Sequence, residues 1–121
     1  TQVLPELEGK LAVVALNVPV VDGSTVDMVV DVERATDEEE VNALVKAACE
    51  SNYQGIIEYV ADPIVSSDVR SISHSGVYDS LATMVTGGNL VKTITWFNNG
   101  WGYSNRVVEV TGMIATYLNG E

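Results

Sequence analysis

The stretch VYDSLATMVTGGNLVKTITWF, residues 77–97, decides the fold. From Val77 to Val85, and again from Val91 to Phe97, it is rich in β-branched and aromatic residues, which favour strands. Gly87-Gly88 lies between the two runs, and adjacent glycines adopt the positive φ angles that a tight hairpin turn requires. The stretch therefore predicts two antiparallel strands joined by a short turn.

A helix and a short strand are predicted upstream of this hairpin. Residues 36–39 have the pattern of a capping box, and apolar residues recur at helical spacing from Val41 to Ala48. These features predict a helix from about Asp37 to Glu50 with acidic residues in its first turn, where the helix dipole favours them. Gly55 then opens a short strand over 56–60.

Two more strands are predicted nearer the N-terminus. In the segment 26–32, valine and methionine on one side alternate mainly with aspartate on the other, which is typical of a half-buried strand. Strand 26–32, the helix and strand 56–60 could form a crossover unit. The continuous apolar run Leu11–Leu16 predicts a strand covered on both faces, and Pro19 ends it.

A second helix is predicted at the C-terminal end. Residues 98–102 have the composition of a turn, and Ser104 is placed to cap a helix after it. Strands with two segregated helices indicate the α+β class, in one domain spanning 1–121. The helix carries one apolar stripe, which comprises Val107, Val110, Ile114 and Tyr117.

Charge and composition exclude several classes of partner. Seventeen acidic against six basic residues give a formal net charge of −11, a field that repels nucleic acid and anionic lipid. No apolar run approaches the roughly 18 residues that span a bilayer, and the first residues lack the pattern of a secretion signal. We therefore expect a cytoplasmic chain without nucleic-acid or membrane partners. We also expect no metal site, because no spaced Cys/His set is present.

Three candidate reactive features have simpler explanations. His74 has serines on both sides, but neighbouring strand positions point to opposite faces and no nucleophile elbow occurs, so a hydrolase triad is disfavoured. Cys49 lies near the C-terminal end of the predicted helix, where the dipole raises a thiol pKa, and inert packing is favoured over a nucleophile. The acidic run 37–40 points in four directions around a helix, which favours solvated side chains over a cation site.

Several motifs resemble the glyceraldehyde-3-phosphate dehydrogenases. They are VLPELEGKL (3–11), VSSD (65–68) followed by His74-Ser75, and above all WFNNGWGYSNRVV (96–108). Collinear matches run from Val3 to about Val110, which is nearly the whole chain. The resemblance implies the C-terminal part of that family's catalytic domain: a mixed, mostly antiparallel sheet with helices packed on one face.

The resemblance also implies a role and its residues. The family oxidises a phosphorylated aldehyde through a cysteine thioester and passes hydride to NAD, held by a Rossmann domain. Asn99 matches the family asparagine that binds the nicotinamide carboxamide, and Tyr103 matches the tyrosine beside that ring. Asn17 stands where the family has an arginine that anchors the substrate phosphate, so no phosphate contact is assigned. No catalytic residue is assigned, since Cys49 and His74 match noncatalytic positions.

Two functions follow from these observations. The first is a portion of an NAD-dependent dehydrogenase, separated from its nucleotide-binding half and its catalytic cysteine, and inactive as this chain alone. The alternative is a free-standing, noncatalytic module that self-associates or binds a protein partner. In either case we expect a homo-oligomer, because the stripe of the last helix would otherwise face water.

Overall fold

A four-stranded mixed sheet organises the chain. The computed structural model describes residues 2–120, and in it the strands are β1 (Ser24–Asp31), β2 (Ile57–Val60), β3 (Gly76–Thr86) and β4 (Leu90–Phe97). The sheet order is β1-β4-β3-β2. β4 pairs antiparallel with both neighbours, and β2 pairs parallel with β3. The predicted α+β class and the predicted hairpin are confirmed.

Helix α1 (Glu38–Cys49) connects the two edges of the sheet. β1 and β2 run in the same direction, since both are parallel to β3 through the pairings given above. The chain therefore leaves β1, passes through α1, and returns in a parallel strand at the far edge, as the crossover prediction proposes. Asp37 caps α1 by accepting a hydrogen bond from the Glu40 amide at 2.8 Å.

The core lies where α1 packs on β2 and β3 and where the hairpin strands meet. Val69, Val77 and Tyr78 are at most 4% exposed, and Val91 and Cys49 are also buried. Val69 belongs to a short 3-10 helix, Ser66–Val69, which contacts β4. Burial is thus concentrated in the middle of the sheet.

A polar network supports an irregularity in β3. Asp79 pairs with Ile94 and Met84 with Lys92, so β3 advances five positions while β4 advances two. The Asn42 amide of α1 donates to the Ser80 carbonyl at 3.1 Å, inside the irregular stretch. A side-chain hydrogen bond therefore attaches the irregular stretch of β3 to α1.

Two buried hydroxyls complete this network. The Tyr78 hydroxyl lies 2.7 Å from the Thr83 hydroxyl, which donates to Asn42 Oδ1 at 2.8 Å. Each hydroxyl has one proton to donate. Because Thr83 donates to Asn42, the Tyr78 hydroxyl is the donor to Thr83. Burial raises the pKa of Tyr78, because a phenolate would be poorly solvated here, although the Thr83 contact opposes the effect.

The predicted strand Leu11–Leu16 is wrong. This segment is irregular and exposed, with Val13 at 90% exposure. A strand needs a partner for its backbone groups, and within residues 2–120 the sheet ends at β1 and β2. In the described part of the chain, a helix Pro5–Leu7 of 3-10 type is the only regular element before β1.

β1 forms as predicted, but its apolar side is not buried. Val26 and Met28 lie opposite Thr95 and Thr93, and Thr95 lies opposite Tyr78 on the face that α1 covers. Met28 is nevertheless 50% exposed. α1 packs over β2 and β3, two strands away, so it does not reach this edge. The prediction of a half-buried strand is therefore wrong for β1.

The C-terminal segment is a 21-residue helix, α2 (Asn99–Asn119), whose only buried residue is Gly102. Between residues 2 and 120, no helix has both the length and the apolar content to cross a membrane.

Replacing Asn42 with alanine tests the polar network. The Ser80 carbonyl loses its side-chain donor and the Thr83 hydroxyl loses its acceptor, so the free energy of unfolding should fall by about 1–3 kcal/mol. Urea denaturation followed by circular dichroism measures the change. Asn52→Ala, in the exposed turn after α1, is the control and should stay within about 0.5 kcal/mol of the parent. An equally small effect for Asn42→Ala would contradict the role given to the network.

Candidate functional site

The N-terminus of α2 is fixed by the side chain of Asn98. Its Oδ1 accepts a hydrogen bond from the Trp101 amide at 2.9 Å, which makes it the N-cap. Its Nδ2 donates to Asp22 Oδ2 at 2.9 Å and to the Arg70 carbonyl at 3.3 Å. Asp22 Oδ2 also lies 3.8 Å from Arg70 Nε. One amide therefore connects the helix to two other segments of the chain.

The predicted turn over residues 98–102 and the predicted cap at Ser104 are both wrong. Residues 99–102 are helical, and the Ser104 hydroxyl instead donates to the Gly100 carbonyl within the helix at 2.8 Å. Gly100 and Gly102 are poor helix formers, which is why the composition favours a turn. The Asn98 cap and the packing of Gly102 favour the helix.

Gly102 lets the helix approach the preceding loop closely. It is buried, and a Cβ atom placed on it would lie 3.0 Å from the His74 carbonyl oxygen. A side chain here would fit only if the helix or residues 74–75 moved by a few tenths of an ångström. The contact therefore favours glycine at this position, whereas its φ angle is an ordinary helical one.

Arg106 fastens α2 at a second point. Its Nη1 donates to the Gly55 carbonyl at 3.2 Å and its Nη2 to the Ser73 carbonyl at 3.4 Å. The same guanidinium pairs with Glu109 one turn later in the helix. Asn98 therefore holds the start of the first turn of α2, and Arg106 holds the end of the second turn.

Asn99 and Tyr103 lie on these two fastened turns. They are four positions apart, so they share one face of the helix, and both are exposed, Tyr103 at 72%. Within residues 2–120, the Asn99 side chain makes no hydrogen bond. Its amide can therefore offer a donor and an acceptor to a planar carboxamide, with the Tyr103 ring beside it. This is the pair that the resemblance assigns to the nicotinamide end of a dinucleotide.

Comparison with known proteins identifies the family. Residues 1–99 match the model of the glyceraldehyde 3-phosphate dehydrogenase C-terminal domain.

The chain belongs to this family.

Among its relatives are glyceraldehyde-3-phosphate dehydrogenases of three bacteria. The Streptomyces avermitilis protein is 46% identical over 116 residues, which are 96% of this chain and 35% of the relative. The Staphylococcus aureus protein is 49% identical over 117 residues, 97% and 33% respectively. The Geobacillus stearothermophilus protein is 45% identical over 114 residues, 94% and 34%. The chain thus spans about a third of the length of each dehydrogenase.

Asn17 lies in a segment of the chain separate from α2. It is exposed in the irregular segment between residues 11 and 18. A neutral amide offers neither the charge nor the bidentate geometry that an arginine brings to a phosphate. In this structure Asn99 and Tyr103 are brought together on one helix, whereas Asn17 belongs to a separate segment.

His74 and Cys49 line one cavity of about 330 Å³ at the end of α1. His74 Nδ1 lies 3.5 Å from Glu58 Oε2, without the geometry of a hydrogen bond. Burial and the adjacent Glu50 charge raise the pKa of the Cys49 thiol. A raised pKa keeps the Cys49 sulfur protonated at neutral pH, so this thiol is poorly equipped as the nucleophile of an aldehyde dehydrogenase.

Three side chains of the acidic run 37–40 form hydrogen bonds or an ion pair within the fold. Asp37 caps α1, Glu38 Oε1 accepts from the Val85 amide at 3.0 Å, and Glu40 pairs with Arg34. The Arg34 and Thr36 hydrogen bonds lower the pKa of Glu40. In the described part of the chain, no group of acidic, cysteine and histidine side chains is placed to hold a metal ion.

The sequence proposes Asn99 and Tyr103 by resemblance but does not reveal the residues that hold them in place. Composition places Asn98 in a turn, although an asparagine directly before a helix is a common N-cap. That signal is present in the sequence. The partnership of Asn98 with Asp22 has no such signal, because the two residues are 76 positions apart and nothing local marks their contact.

The reactivity of Cys49 tests its exclusion as a nucleophile. Because the thiolate is the reactive form and burial raises the pKa of the folded thiol above its ordinary value, alkylation by iodoacetamide at pH 7.5 should be at least about tenfold slower in the folded chain than in urea. With increasing pH, the rate in the folded chain should continue to rise after the rate in urea has levelled off, because the folded thiol has the higher pKa. Mass spectrometry at timed intervals measures both rates. A folded chain that reacts as fast as the unfolded one would overturn this assignment.

Proposed function

We propose that this chain is the C-terminal part of the catalytic domain of an NAD-dependent glyceraldehyde-3-phosphate dehydrogenase, working in the cytoplasm. The observation that carries the proposal is the exposed Asn99–Tyr103 pair on the fastened turns of α2, in a chain of this family. The relatives named above are all dehydrogenases, so the comparisons lend no support to a noncatalytic module.

In this proposal the chain's own residues bind and orient one end of the cofactor. The Asn99 amide pairs with the nicotinamide carboxamide, and the Tyr103 ring limits rotation of the nicotinamide beside it. NAD, when bound, supplies the hydride acceptor for aldehyde oxidation. Hydride transfer needs close alignment of donor and acceptor, so holding the ring in one orientation is the contribution that these residues make.

The remaining groups must come from other parts of the enzyme. The one thiol in the sequence, Cys49, is buried with a raised pKa, and the single histidine lies beside it. A nucleotide-binding half must also hold the rest of the dinucleotide, because Asn99 and Tyr103 reach one ring only. We therefore propose that this chain alone does not catalyse the oxidation of an aldehyde by NAD.

Asn17 bears on the choice of substrate. Without an arginine at this position, the substrate phosphate loses one charged contact. The proposed enzyme then binds phosphorylated aldehydes through groups outside this chain, or prefers an aldehyde that makes less use of this position.

A chimera tests the catalytic proposal. This chain replaces the corresponding third of the Geobacillus stearothermophilus dehydrogenase, and NADH formation with glyceraldehyde 3-phosphate is followed by absorbance. We expect activity from the chimera and none from the chain alone. Asn99→Ala in the chimera should lower kcat/KM about tenfold, which corresponds to about 1.4 kcal/mol for a lost hydrogen bond.

The matched control for the chimera is Asn52→Ala, which should keep the parent kcat/KM. A chimera with native circular dichroism but no turnover would contradict the proposal. So would a chimera whose kcat/KM is unchanged by Asn99→Ala.

A homo-oligomer remains part of the proposal. The stripe of α2 predicted to be apolar is exposed in the structure, with Val107, Val110, Ile114 and Tyr117 all at least 47% exposed. Asn98, Gly102 and Arg106 contact other segments of the chain from the first turns of α2. Residues 107–119 are all exposed, so the rest of the helix does not fold back over its own sheet. Burying each such side chain from full exposure is worth roughly 1.5–3 kcal/mol. In the complete enzyme we propose that this face packs on the nucleotide-binding half.

Isolated chains should therefore pair through α2. Sedimentation equilibrium at physiological salt should show a dimer or larger species, because salt screens the charge of −11 beyond about 8 Å. Ile114→Lys should shift the equilibrium toward the 13.0 kDa monomer, whereas Thr116→Lys, on the opposite side of α2, should not. A parent chain that stays monomeric at about 50 μM, a range where micromolar affinities are visible, would refute self-association.

A further inference from the structure

The Asn98 side chain uses both halves of its amide at once. The oxygen caps α2, and the nitrogen is held by Asp22 and by the Arg70 carbonyl. An ionised aspartate, which has the same size, can accept on both sides but cannot donate on either. The residue therefore has two roles, of which helix capping accounts for one.

We propose that Asn98 is a positioning residue that couples Asp22 to the first turn of α2 and so fixes where Asn99 and Tyr103 stand. The positional part of the inference rests on the proposed function, because it gives those two side chains their role. The coupling itself belongs to the chain and exists without any cofactor.

The charges around Asn98 explain why an amide is needed. Asp22 Oδ2 is 2.9 Å from Asn98 Nδ2 and 3.8 Å from Arg70 Nε, and Asp22 Oδ1 accepts from the Gly23 amide at 2.8 Å. Asp68, on the adjacent 3-10 helix, accepts a hydrogen bond from the Val65 amide at 2.8 Å. The cluster thus holds one carboxylate and one guanidinium facing a neutral amide.

An aspartate at position 98 separates the two roles of the side chain. It keeps an acceptor for the Trp101 amide, and its charge suits a helix N-terminus. It loses the donor, however, and sets its carboxylate against that of Asp22. If Asn98 acts as a cap only, Asn98→Asp is neutral or stabilising; if it couples to Asp22, the variant is destabilised at neutral pH.

The position of Asn99 depends on this coupling because Asn99 directly follows the cap. Further along α2, Gly102 rests on the His74 carbonyl and Arg106 reaches Gly55 and Ser73. These contacts hold the second turn of α2 in place. The position of the first turn then depends on the contact between Asn98 and Asp22. Loss of that contact frees the residue that carries the exposed amide.

Four chains test the coupling: the parent, Asn98→Asp, Asp22→Asn, and the exchanged pair Asp22→Asn/Asn98→Asp. In the exchanged pair, the amide introduced at position 22 can donate to the carboxylate introduced at position 98 and still accept from Gly23. The hydrogen bond is then restored with its direction reversed. At pH 7 we expect Asn98→Asp to lower Tm by roughly 5–10 °C. The exchanged pair should regain more than half of that loss.

The pH dependence has a definite sign. Two carboxylates at this distance cannot both be ionised without cost, so the folded Asn98→Asp variant takes up a proton at higher pH than its unfolded chain does. Stability is then gained as the pH falls and lost as it rises. The Tm deficit relative to the parent should be smaller at pH 4 than at pH 7, and the exchanged pair should lack this dependence.

Nuclear magnetic resonance supplies the positional measurement. In Asn98→Asp at pH 7, hydrogen exchange of the Trp101 amide should speed up about tenfold or more as the first turn opens locally, and the resonances of Asn99 and the Tyr103 ring should shift. Both should return toward the parent in the exchanged pair. Asn105→Asp is the matched control, because Asn105 also lies on α2 but donates only to the Trp101 carbonyl.

Several results would overturn the proposal. They are a Tm of Asn98→Asp equal to the parent's at pH 7, an exchanged pair no better than the single variant, or Asn99 and Tyr103 resonances that do not move. Should Asn98→Asp fail to fold at pH 7, the exchanged pair decides: refolding supports the coupling, and continued failure refutes it. None of these measurements involves NAD, so they stand or fall separately from the dehydrogenase chimera.

Discussion

The double pairing of β4 is the constraint on which the rest of this structure depends. β4 is hydrogen-bonded to β1 on one side and to β3 on the other, and α2 follows it after a single residue. The direction of β4 therefore sets where Asn98 stands and where α2 begins. Because Asp22 precedes β1 and β1 is paired with β4, the two partners of the Asp22–Asn98 contact are carried by neighbouring strands.

The local elements are predictable from the sequence because their signals are local. Gly87-Gly88 marks the turn of the hairpin, and Asp37 with the acids after it marks the start of α1. Where the prediction fails, tertiary contacts decide the outcome. The run Leu11–Leu16 has the composition of a buried strand but no strand beside it within residues 2–120. Residues 99–102 have the composition of a turn but are held as a helix by distant partners.

The candidate site divides in the same way. Asn99 and Tyr103 are found through a motif, and the structure adds that they are exposed on one helical face. The supporting contacts, from Asn98 to Asp22 and from Arg106 to Gly55, span 76 and 51 positions and leave no mark in composition or periodicity. Resemblance proposes Asn99 and Tyr103 as ligand contacts, whereas coordinates are needed to find the residues that hold them in place.

The order of strands has a consequence for how the chain is made. β1 is synthesised before β4, and its partners there lie between 59 positions later, for Asp31 and Leu90, and 73 positions later, for Ser24 and Phe97. Such distant pairing slows folding, since a long loop must close before any contact compensates for it. On the ribosome, β1 with its exposed valines must wait until β4 has emerged. Over that interval, the unpaired edges of β1 are open to association with other chains.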